Sequence, residues 1–328
     1  MATIKDVAKL AEVSVGTVSK YLNGFKVKDK TRIAVEEAIR ELKYEPNTYA
    51  KGLKTNRTNT IVLIIPSVWH PFFSELTYYI EQILREHGLK LILCNTRDHL
   101  ESEIEYVTMA RQNKVDGIIA ITYSNIDKYI TSDMAVVSID RFFSVNTDFI
   151  SSDNFHGGYL GAEMLSEKSS TALAYIGHGS SYENDTTARL DGFKAYCEEY
   201  SIPYHVCYDS DSREEYQNRL TTFIDQIVSG QIEVDGILTA SDTHALNVYE
   251  LLQQRAIRVP EDIQLIGFDG SQQSHSTPVF LSSIRQNVPE IAKEAVSCLL
   301  DRIKNQNSDH PVVRKKIPVS FIKGKTTR

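Results

Sequence analysis

From residue 60 onward, short apolar segments alternate with longer amphipathic segments, and this alternation constrains the fold more than any other feature of the chain. Strands that are apolar along most of their length and alternate with helices are typical of parallel sheets covered by helices on both faces. The predicted strands are TIVLIIP (60–66), KLILCN (90–95), DGIIAI (116–121), AVVSID (135–140), FISSD (149–153), ALAYIGH (172–178), HVCYD (205–209), DGILTAS (235–241), IQLIGFDG (263–270) and LSSIRQ (281–286). The predicted helices lie near 72–87, 101–113, 156–167, 185–200, 213–229, 243–255 and 288–306.

More than nine strands are many for one open sheet, so the pattern predicts two lobes. A short internal repeat agrees with this, because VDGIIA (115–120) and VDGILT (234–239) are nearly identical. Each copy would form a strand that is entered through a tight Asp-Gly turn. The predicted core is therefore α/β, with two related doubly wound lobes of parallel sheet.

The first 45 residues have no strand pattern and predict three short helices. Thr3 and Ser14 are suited to cap the first two, Asn23-Gly24 to end the second, and the third would run from Asp29 or Lys30 to Leu42. The expected apolar positions are Ile4, Val7, Ala8 and Ala11 in the first helix, Val15 or Val18 with Leu22 in the second, and Ile33, Val35, Ile39 and Leu42 in the third. Such a small core gives a marginally stable unit.

Charge is divided unevenly along the chain, which has a net charge of −7. Residues 1–57 hold 12 Lys and Arg against seven Asp and Glu, a net charge of +5, and the remaining residues hold 24 against 36, a net charge of −12. A basic head on an acidic body favours a polyanionic partner for the head, such as nucleic acid.

Two helices separated by about three residues fit a helix-turn-helix, whose second helix enters the major groove of DNA. On the helix SVGTVSKYLNG, we expect Val15, Gly16 and Lys20 to read base edges, because Val can touch a thymine methyl group and Lys can reach guanine. The residues expected at phosphates or supporting the contact are Thr3, Ser14, Thr17, Ser19 and Asn23. The alternative from the residues alone is a three-helix protein-binding module.

A series of motifs in the same order resembles the Lac repressor family of bacterial transcription regulators. It comprises TIKDVAKLAEVSVGTVSKYLNG, YEPNTYAKGLK, RTNTIVLIIPSVWHPFFSEL, VDGIIAI, SIDR, SSDNFHGGYLGAEML, RLDGFKAY, ASDTHAL, RVPEDIQLIGFDG and SSIRQN, and it covers nearly the whole chain. The resemblance implies a homodimer or tetramer that binds a pseudo-palindromic operator. It also implies a core like that of periplasmic sugar-binding proteins, in which a small effector between the lobes changes operator affinity.

The resemblance also implies domain boundaries: a head at 1–45, a hinge helix and linker at 46–58, and a core at 59–328. Lobe one would comprise 59–157 and 288–315, and lobe two 158–284 and 317–328. In the hinge PNTYAKGLK, Leu53 would enter a minor-groove base step, with Asn47, Tyr49, Ala50 and Lys51 near the groove walls or phosphates. Nine residues are too few for a stable isolated helix, so a flexible linker is the alternative.

The effector is expected beyond the carboxyl ends of the strands, where ligands of such cores lie. The resemblance singles out Arg189 and Asp269, and Trp69, Phe72 and Phe73 are candidate aromatic walls. The complete expected set is Trp69, Phe72, Phe73, Tyr123, Arg141, His156, Arg189, Ser241 and Asp269. Several have structural alternatives: Trp69 can pack at the rim, Arg141 can bridge lobes, and Arg189 can pair with Asp185 or Asp191.

The sequence departs from the family pattern at several positions. Glu12 stands in the helix-helix turn where Gly is usual, and Lys20 where Arg or His is usual. Gly52 replaces a larger hinge residue, Ser241 a frequent Asn, and Gly270 a frequent second Asp. A neutral sugar is the family default for the effector, while a nucleobase or phosphorylated metabolite stays open, as corepressor in place of inducer.

The sequence does not favour an enzyme, a bound cofactor or a metal site. It has no GxGxxG after a strand, no GxxxxGK[ST], no GxSxG and no HExxH, and its four cysteines lack CxxC spacing. The longest aliphatic run, 61–65, is too short for a membrane span, and no secretory signal is apparent, so a cytoplasmic location is expected. The remaining alternative function is a sugar-binding module without gene control.

Overall fold

The structure is a computed structural model, and it describes residues 2–45, 57–131, 133–143, 147–180, 182, 184–210, 212–271, 279–305 and 311–328. The chain divides into two compact units, Met1–Thr58 and Asn59–Arg328. Within the described residues, every helix is too short or too polar to cross a membrane.

The first unit contains α1 (Ile4–Leu10), α2 (Val15–Leu22) and α3 (Asp29–Leu42), as predicted. Thr3 caps α1 in a capping box, in which its side chain accepts from the Asp6 N–H and the Asp6 carboxylate accepts from the Thr3 N–H. The Ser14 hydroxyl caps α2 by accepting from the Thr17 N–H at 3.1 Å. Both predicted caps are confirmed.

The core of the first unit is small. It is formed by the buried side chains of Val7, Ala8, Ala11, Val18, Val35 and Ala38. Val18 therefore faces the core and Val15 does not, and Ile33, expected in the core, is 47% exposed because it lies on the outer face of α3. Glu12 adopts a left-handed conformation with φ of 51°, at a position where Gly would avoid a cost of about 1 kcal/mol.

The first lobe of the second unit is a six-stranded parallel sheet in the order β11-β5-β4-β3-β1-β2. Its strands are β1 (Thr60–Ile65), β2 (Lys90–Asn95), β3 (Gly117–Ala120), β4 (Val136–Ile139), β5 (Asp148–Ser152) and β11 (Arg314–Ile317). Its helices are α4 (Pro71–Glu86), α5 (Leu100–Gln112) and α10 (Val288–Lys304). Helices α4 and α10 bury one face of the sheet, and α5 buries the other.

The second lobe has the same arrangement, with the order β12-β10-β9-β8-β6-β7. Its strands are β6 (Leu173–His178), β7 (Tyr204–Asp209), β8 (Gly236–Thr239), β9 (Gln264–Asp269), β10 (Ser282–Arg285) and β12 (Ser320–Ile322), of which β12 runs antiparallel to β10. Its helices are α6 (Asn154–Glu167), α7 (Ala188–Glu199), α8 (Arg213–Val228) and α9 (Asp242–Gln254). Helices α6 and α7 cover one face, and α8 and α9 the other.

The architecture confirms the predicted fold class, and all ten predicted strands are present. The chain passes between the lobes after β5, after β10 and after β11. The first crossing lies at Asp153 rather than at residue 157, because α6 packs on the second sheet from its first turn: a Cβ on Gly157 would lie 2.7 Å from the Phe268 ring. The third crossing follows Ile317 rather than residue 315, because Ile317 still pairs with Ser152 of β5.

Candidate functional site

The site is built around the last residue of β9, Asp269, at the junction of the two lobes. Its side chain is buried, with 3% exposure. Its backbone has a φ of 115°, an angle that residues other than Gly rarely adopt. Gly270 follows with φ of 63°, and a Cβ there would lie 2.6 Å from the Arg285 side chain. Backbone strain of this kind costs about 1–3 kcal/mol and clusters at ligand-binding positions.

The carboxylate of Asp269 is only partly satisfied by the protein. Oδ1 accepts a hydrogen bond from Gln286 Nε2 at 2.6 Å. Within the part of the chain that the structure describes, Oδ2 is buried and has no hydrogen-bond partner. His70 Nε2, which comes from the first lobe, lies 3.8 Å from this oxygen, and the His70 ring packs beside Phe73. A buried acceptor without a donor is costly, so this oxygen is suited to receive a ligand hydroxyl.

Arg189, near the start of α7, places a buried cation next to Asp269. Its Nε donates to Asn154 Oδ1 at 2.7 Å and its Nη1 to the Ala240 carbonyl at 2.6 Å. Nη1 lies 3.9 Å from Asp269 Oδ1, and the guanidinium lies over the Phe268 ring at 3.8 Å. These contacts fix the guanidinium plane, as bidentate recognition of ligand oxygens requires.

The first lobe contributes Tyr123 and Asp140 to the same region. Burial raises the pKa of Tyr123 above its usual range, and the negative charges of Asp140 and Asp269 act in the same direction. The phenol is therefore neutral and can donate a hydrogen bond. Ser180 of the second lobe donates to the Tyr123 carbonyl at 3.0 Å, so this residue also contacts the opposite lobe.

Two carboxyl groups of the second lobe, Asp242 and Asp269, are buried close to each other. Burial, together with the nearby charge of Asp269, raises the pKa of Asp242 to about 8. Burial also raises the pKa of Asp269, against the lowering effects of His70 and Arg189. Asp242 is bonded to the protein, since it accepts from Ser283 Oγ at 2.6 Å and from the Ser271 N–H at 2.7 Å. It therefore positions the ends of β9 and β10.

In the first unit, α2 exposes a different kind of surface. Val15 is 40% exposed, and Gly16 and Lys20 are exposed beside it on the helix. The Thr17 hydroxyl lies 2.9 Å from Ser14 Oγ, and Asn23 Nδ2 donates to the Ser19 carbonyl at 2.8 Å. The helix thus presents one apolar side chain, one open backbone position and one cation on its outer face.

Comparison with known proteins identifies both units. Residues 3–47 match the model of bacterial regulatory proteins of the lacI family, and residues 162–327 match a periplasmic binding protein-like domain. The sucrose operon repressor of Pediococcus pentosaceus is 34% identical over 98% of both chains. The chain belongs to the LacI family. The ribose operon repressor of Bacillus subtilis is 33% identical over 100% of this chain and 99% of its own.

A solved LacI-type structure extends the similarity to the three-dimensional level. The regulator from Alkaliphilus metalliredigens, complexed with D-xylulofuranose, is 27% identical and has a TM-score of 0.71 over 82% of this chain and 99% of its own. The LacI-family chain is thus a DNA-binding transcription regulator with an effector-binding core. Its relatives are regulators rather than enzymes, which confirms the prediction that it is not an enzyme.

The aromatic residues predicted for the cleft of this LacI-family protein occupy different environments. Phe72 and Phe73 are buried in the first turn of α4 and belong to the core of the first lobe, with only Phe73 next to His70. Trp69 is 92% exposed, and its N–H donates to Ser67 Oγ. Phe73 is therefore the aromatic residue whose placement beside the cleft is supported by a contact.

Three other predicted residues have partners outside the Asp269 cluster. Arg141 donates to Thr122 Oγ1 at 3.3 Å and to Asp127 Oδ1 at 2.8 Å, within the first lobe. Ser241 caps α9, and its hydroxyl lies 2.7 Å from His244 Nδ1. His156 is exposed in the first turn of α6, where Asp153 accepts from its N–H.

His70 and Gln286, which lie next to Oδ2 and Oδ1 of Asp269, were not in the expected effector set, although His70 belongs to the candidate stretch SVWHPFF. His70 had a usable signal, because it precedes Pro71 at the predicted start of a helix after the first strand. Gln286 follows β10 directly and so lies at a strand end. The predicted hinge residues Asn47, Tyr49, Ala50, Lys51 and Leu53 lie outside the described residues. Among those described, no cluster of His, Cys, Asp or Glu is arranged to hold a metal ion.

Proposed function

We propose that the chain is a repressor whose operator affinity falls when a small neutral sugar binds between the lobes at Asp269. The observation that carries this proposal is the buried Asp269 Oδ2, which lacks a donor among the described residues and lies beside His70. A sugar hydroxyl can donate to this oxygen and accept from an imidazole N–H at the same time. Arg189 and Tyr123 supply further donors on either side of the cleft.

Charge favours an uncharged sugar over a phosphorylated metabolite. Among the described residues, the carboxyl groups of Asp140, Asp242 and Asp269 are buried in this region, where Arg189 is the buried cation next to Asp269 and buried Arg141 is bonded to Asp127. A phosphate group carries about −1.5 to −2 charges at neutral pH, and Arg189, which already lies beside Asp269, would leave part of that buried charge unpaired. The names of the sucrose and ribose operon repressors, and the D-xylulofuranose complex, support the same class of effector.

For the first unit, we propose that Val15, Gly16 and Lys20 read base edges while Thr3, Ser14, Thr17, Ser19 and Asn23 support phosphate contacts. Two chains would bind the two halves of a pseudo-palindromic operator as a homodimer, alone or within a tetramer. In the hinge, Leu53 would enter the minor groove, with Asn47, Tyr49, Ala50 and Lys51 beside it.

Sugar binding would change the relative orientation of the lobes, because the cleft takes donors and acceptors from both of them. A coupling free energy of about 1–3 kcal/mol between the sugar site and the operator site is typical of such regulators. In this proposal, binding of the sugar weakens operator binding and so relieves repression. A sugar that tightened operator binding would instead act as a corepressor and contradict this direction.

The test begins with the purified full-length chain and a pool of random DNA duplexes, from which a bound sequence is selected. The chain is then screened by thermal shift against neutral sugars, their phosphate esters and nucleobases, and the selected duplex is titrated with any compound that stabilises the protein. We expect a neutral sugar to weaken DNA binding about 5–150-fold. Stabilisation by a phosphate ester or nucleobase alone would overturn the proposed effector class.

The Asp269→Asn variant tests the assignment of the cleft. It keeps the size of the side chain and removes the charge, so we expect sugar affinity to fall by about tenfold or more, with DNA binding retained. Asp262→Asn is the control, because Asp262 pairs with Arg258 on an exposed surface of the same lobe. Unchanged sugar affinity in Asp269→Asn would contradict the assignment.

A further inference from the structure

A serine hydroxyl at the lobe junction lies between two carboxylates. Ser151 Oγ, at the end of β5, is 2.8 Å from Asp140 Oδ1 and 2.7 Å from Asp185 Oδ2. Asn154 Nδ2 donates to the same oxygen at 2.9 Å. All four side chains are buried or nearly so, because Asp185 is the most exposed of them at 9%.

Among the described residues, this cluster has fewer hydrogens to donate than it has short contacts, which include one of 3.0 Å between Ser151 Oγ and the Ser152 carbonyl. A serine hydroxyl has one hydrogen to donate, and an ionised carboxylate can only accept. Ser151 can therefore donate to Asp140 or to Asp185 but not to both, while Asn154 Nδ2 donates to Ser151 Oγ and, at 3.0 Å, to Asp185 Oδ2. The second short contact becomes favourable only when one of the two carboxyl groups carries a proton and donates to the hydroxyl. Without that proton, two like charges face each other across a single hydroxyl group.

The cluster also joins the two lobes. Asp140 and Ser151 follow or end strands of the first lobe, whereas Asn154 begins α6 and Asp185 precedes α7 in the second lobe. The backbone N–H of Asp185 donates to the carbonyl of Asp140 at 2.8 Å, so a main-chain hydrogen bond crosses the junction at the same place. Opening the junction would separate the two carboxyl groups and hydrate both.

We propose that the contact between the lobes is proton-linked: one proton held among Asp140, Ser151 and Asp185 stabilises the contact, and its loss loosens it. The closed junction then weakens as the pH rises, whether or not an effector is bound. This link adds acidity as an input to the regulator and is independent of the identity of the sugar.

Neighbouring charges indicate that Asp140 holds the proton. Lys316 Nζ of β11 lies 3.5 Å from Asp185 Oδ1, so a cation faces Asp185 on the side away from Ser151. Burial raises the pKa of Asp140 to about 6, and the charges of Asp185 and Asp269 act in the same direction. Arg189 and the hydrogen bond from Ser151 oppose this rise, and the Tyr123 phenol, also facing Asp140, stays neutral.

The sign of the pH dependence follows from the raised pKa. The carboxyl group of Asp140 is harder to ionise when the lobes are in contact than when it faces water. Its protonated form therefore stabilises the contact fully below the ordinary pKa of 3.8. This contribution is lost as the pH rises from there through about 6, after which it is constant. Between pH 5 and pH 7.5 the expected change in the opening equilibrium is about tenfold, since each pKa unit is a factor of ten.

The Asp185 amide reports on this opening directly, because its N–H donates across the junction. Hydrogen exchange of the full-length protein without added sugar, followed by mass spectrometry of a peptide containing residue 185, gives its protection after correction for the intrinsic pH dependence. We expect protection to fall about tenfold from pH 5 to pH 7.5 in the wild type. In Asp140→Asn, whose neutral amide mimics the protonated acid, we expect protection that does not change with pH.

Asp262→Asn is the control and should retain the wild-type decline, because the pKa of exposed Asp262 is held at about 2 by Arg258 and does not titrate in this range. Asp185→Asn is the second variant should Asp140→Asn fail to fold, since its amide removes one acceptor and supplies a donor. It should weaken the pH dependence without removing it, because burial, the largest cause of the raised pKa of Asp140, persists. Constant or rising protection in the wild type, or an unaltered decline in both junction variants, would overturn the proposal.

Discussion

In both lobes, one of the two strands that pair with the first strand begins at the Gly of an Asp-Gly turn: Asp116-Gly117 at β3 and Asp235-Gly236 at β8. The registers correspond, because Gly117 pairs with Ile61 of β1 and Gly236 with Leu173 of β6. The short sequence repeat thus occupies equivalent positions in two sheets of the same order.

The aspartates of this repeat have equivalent partners. Asp116 Oδ2 accepts from the Asn59 N–H at 2.9 Å, just before β1. Asp235 accepts from the N–H groups of Thr171 and Ala172 at 2.9–3.0 Å, just before β6. Each carboxylate therefore holds the start of the first strand of its lobe.

The opposite ends of the two sheets differ in chemistry. The second lobe places Arg189 and Asp269 at the cleft, whereas the first contributes Tyr123, Asp140 and His70. Since ligands of such folds bind beyond the carboxyl ends of strands, selection for an effector acts at those ends. The repeated ends of the sheets therefore serve stability, while the differing ends are suited to recognition.

Helix packing is a second difference between the lobes, and it gives the largest predicted effect. In the first lobe, α4 and α10 pack through large apolar side chains. In the second, α6 approaches α7 so closely that a Cβ on Gly158 would collide with the Arg189 backbone. We expect Gly158→Ala to lower the free energy of unfolding by about 3 kcal/mol or more, because backbone atoms must move to relieve the overlap.

Urea denaturation measures this effect, and Gly230→Ala is its control. Gly230 has φ of 74° with nothing within 4 Å of an added Cβ, so the substitution should cost only about 1 kcal/mol, from the conformation alone. Equal losses in the two variants would mean that the close approach of the helices is not needed by the second lobe.

The equivalence of the two Asp-Gly turns predicts a smaller, matched effect. We expect Asp116→Ala and Asp235→Ala each to cost about 2 kcal/mol in urea denaturation, because each leaves N–H groups at a strand start without their acceptor. Sugar and DNA affinities should stay unchanged, since both residues lie at the ends of the sheets remote from the cleft. A large loss in one variant and none in the other would break the equivalence.

Much of the fold followed from the sequence, because burial on both faces makes parallel strands apolar and short. The strands β11 and β12 were not predicted. The segment RKKI (314–317), which forms β11, is mostly charged and lies at a sheet edge, where one side of the strand faces solvent. The helix caps Thr3 and Ser14 were predictable because capping depends on local residues.

The site was less predictable, because its geometry comes from contacts between distant residues. Arg189 and Asp269 were singled out by the resemblance to the family, but the partners of Arg189 were not predicted. In the structure it donates to Asn154 and to the Ala240 carbonyl rather than to Asp185 or Asp191. Likewise, His70 reaches the cleft only because the lobes bring the start of α4 opposite the end of β9. Sequence periodicity carries no information about such approaches.

The smallest predicted effect concerns one buried acid in each lobe. Burial raises the pKa of Glu103 in the first lobe to about 7, against the opposing effects of Ser124 and Arg141, and raises that of Asp242 in the second to about 8. Both pKa values are raised, so each group stabilises the fold below its ordinary pKa of 4.5 or 3.8, and this contribution is lost as the pH rises through about 7 or 8. We therefore expect the free energy of unfolding to fall between pH 6 and pH 8.

The variants Glu103→Gln and Asp242→Asn separate the two contributions. Each neutral amide removes the contribution of its own acid to the fall of the free energy of unfolding with pH. We expect each variant to recover about 1–2 kcal/mol of the loss between pH 6 and pH 8, with the larger and later recovery in Asp242→Asn. The Asp242 step also depends on Asp269, whose negative charge adds to the burial effect, so it belongs to the pair rather than to one residue. If the free energy of unfolding fell equally with pH in both variants and the wild type, neither acid would be buried in its neutral form. The second lobe would then not differ from the first in holding the acid with the higher pKa.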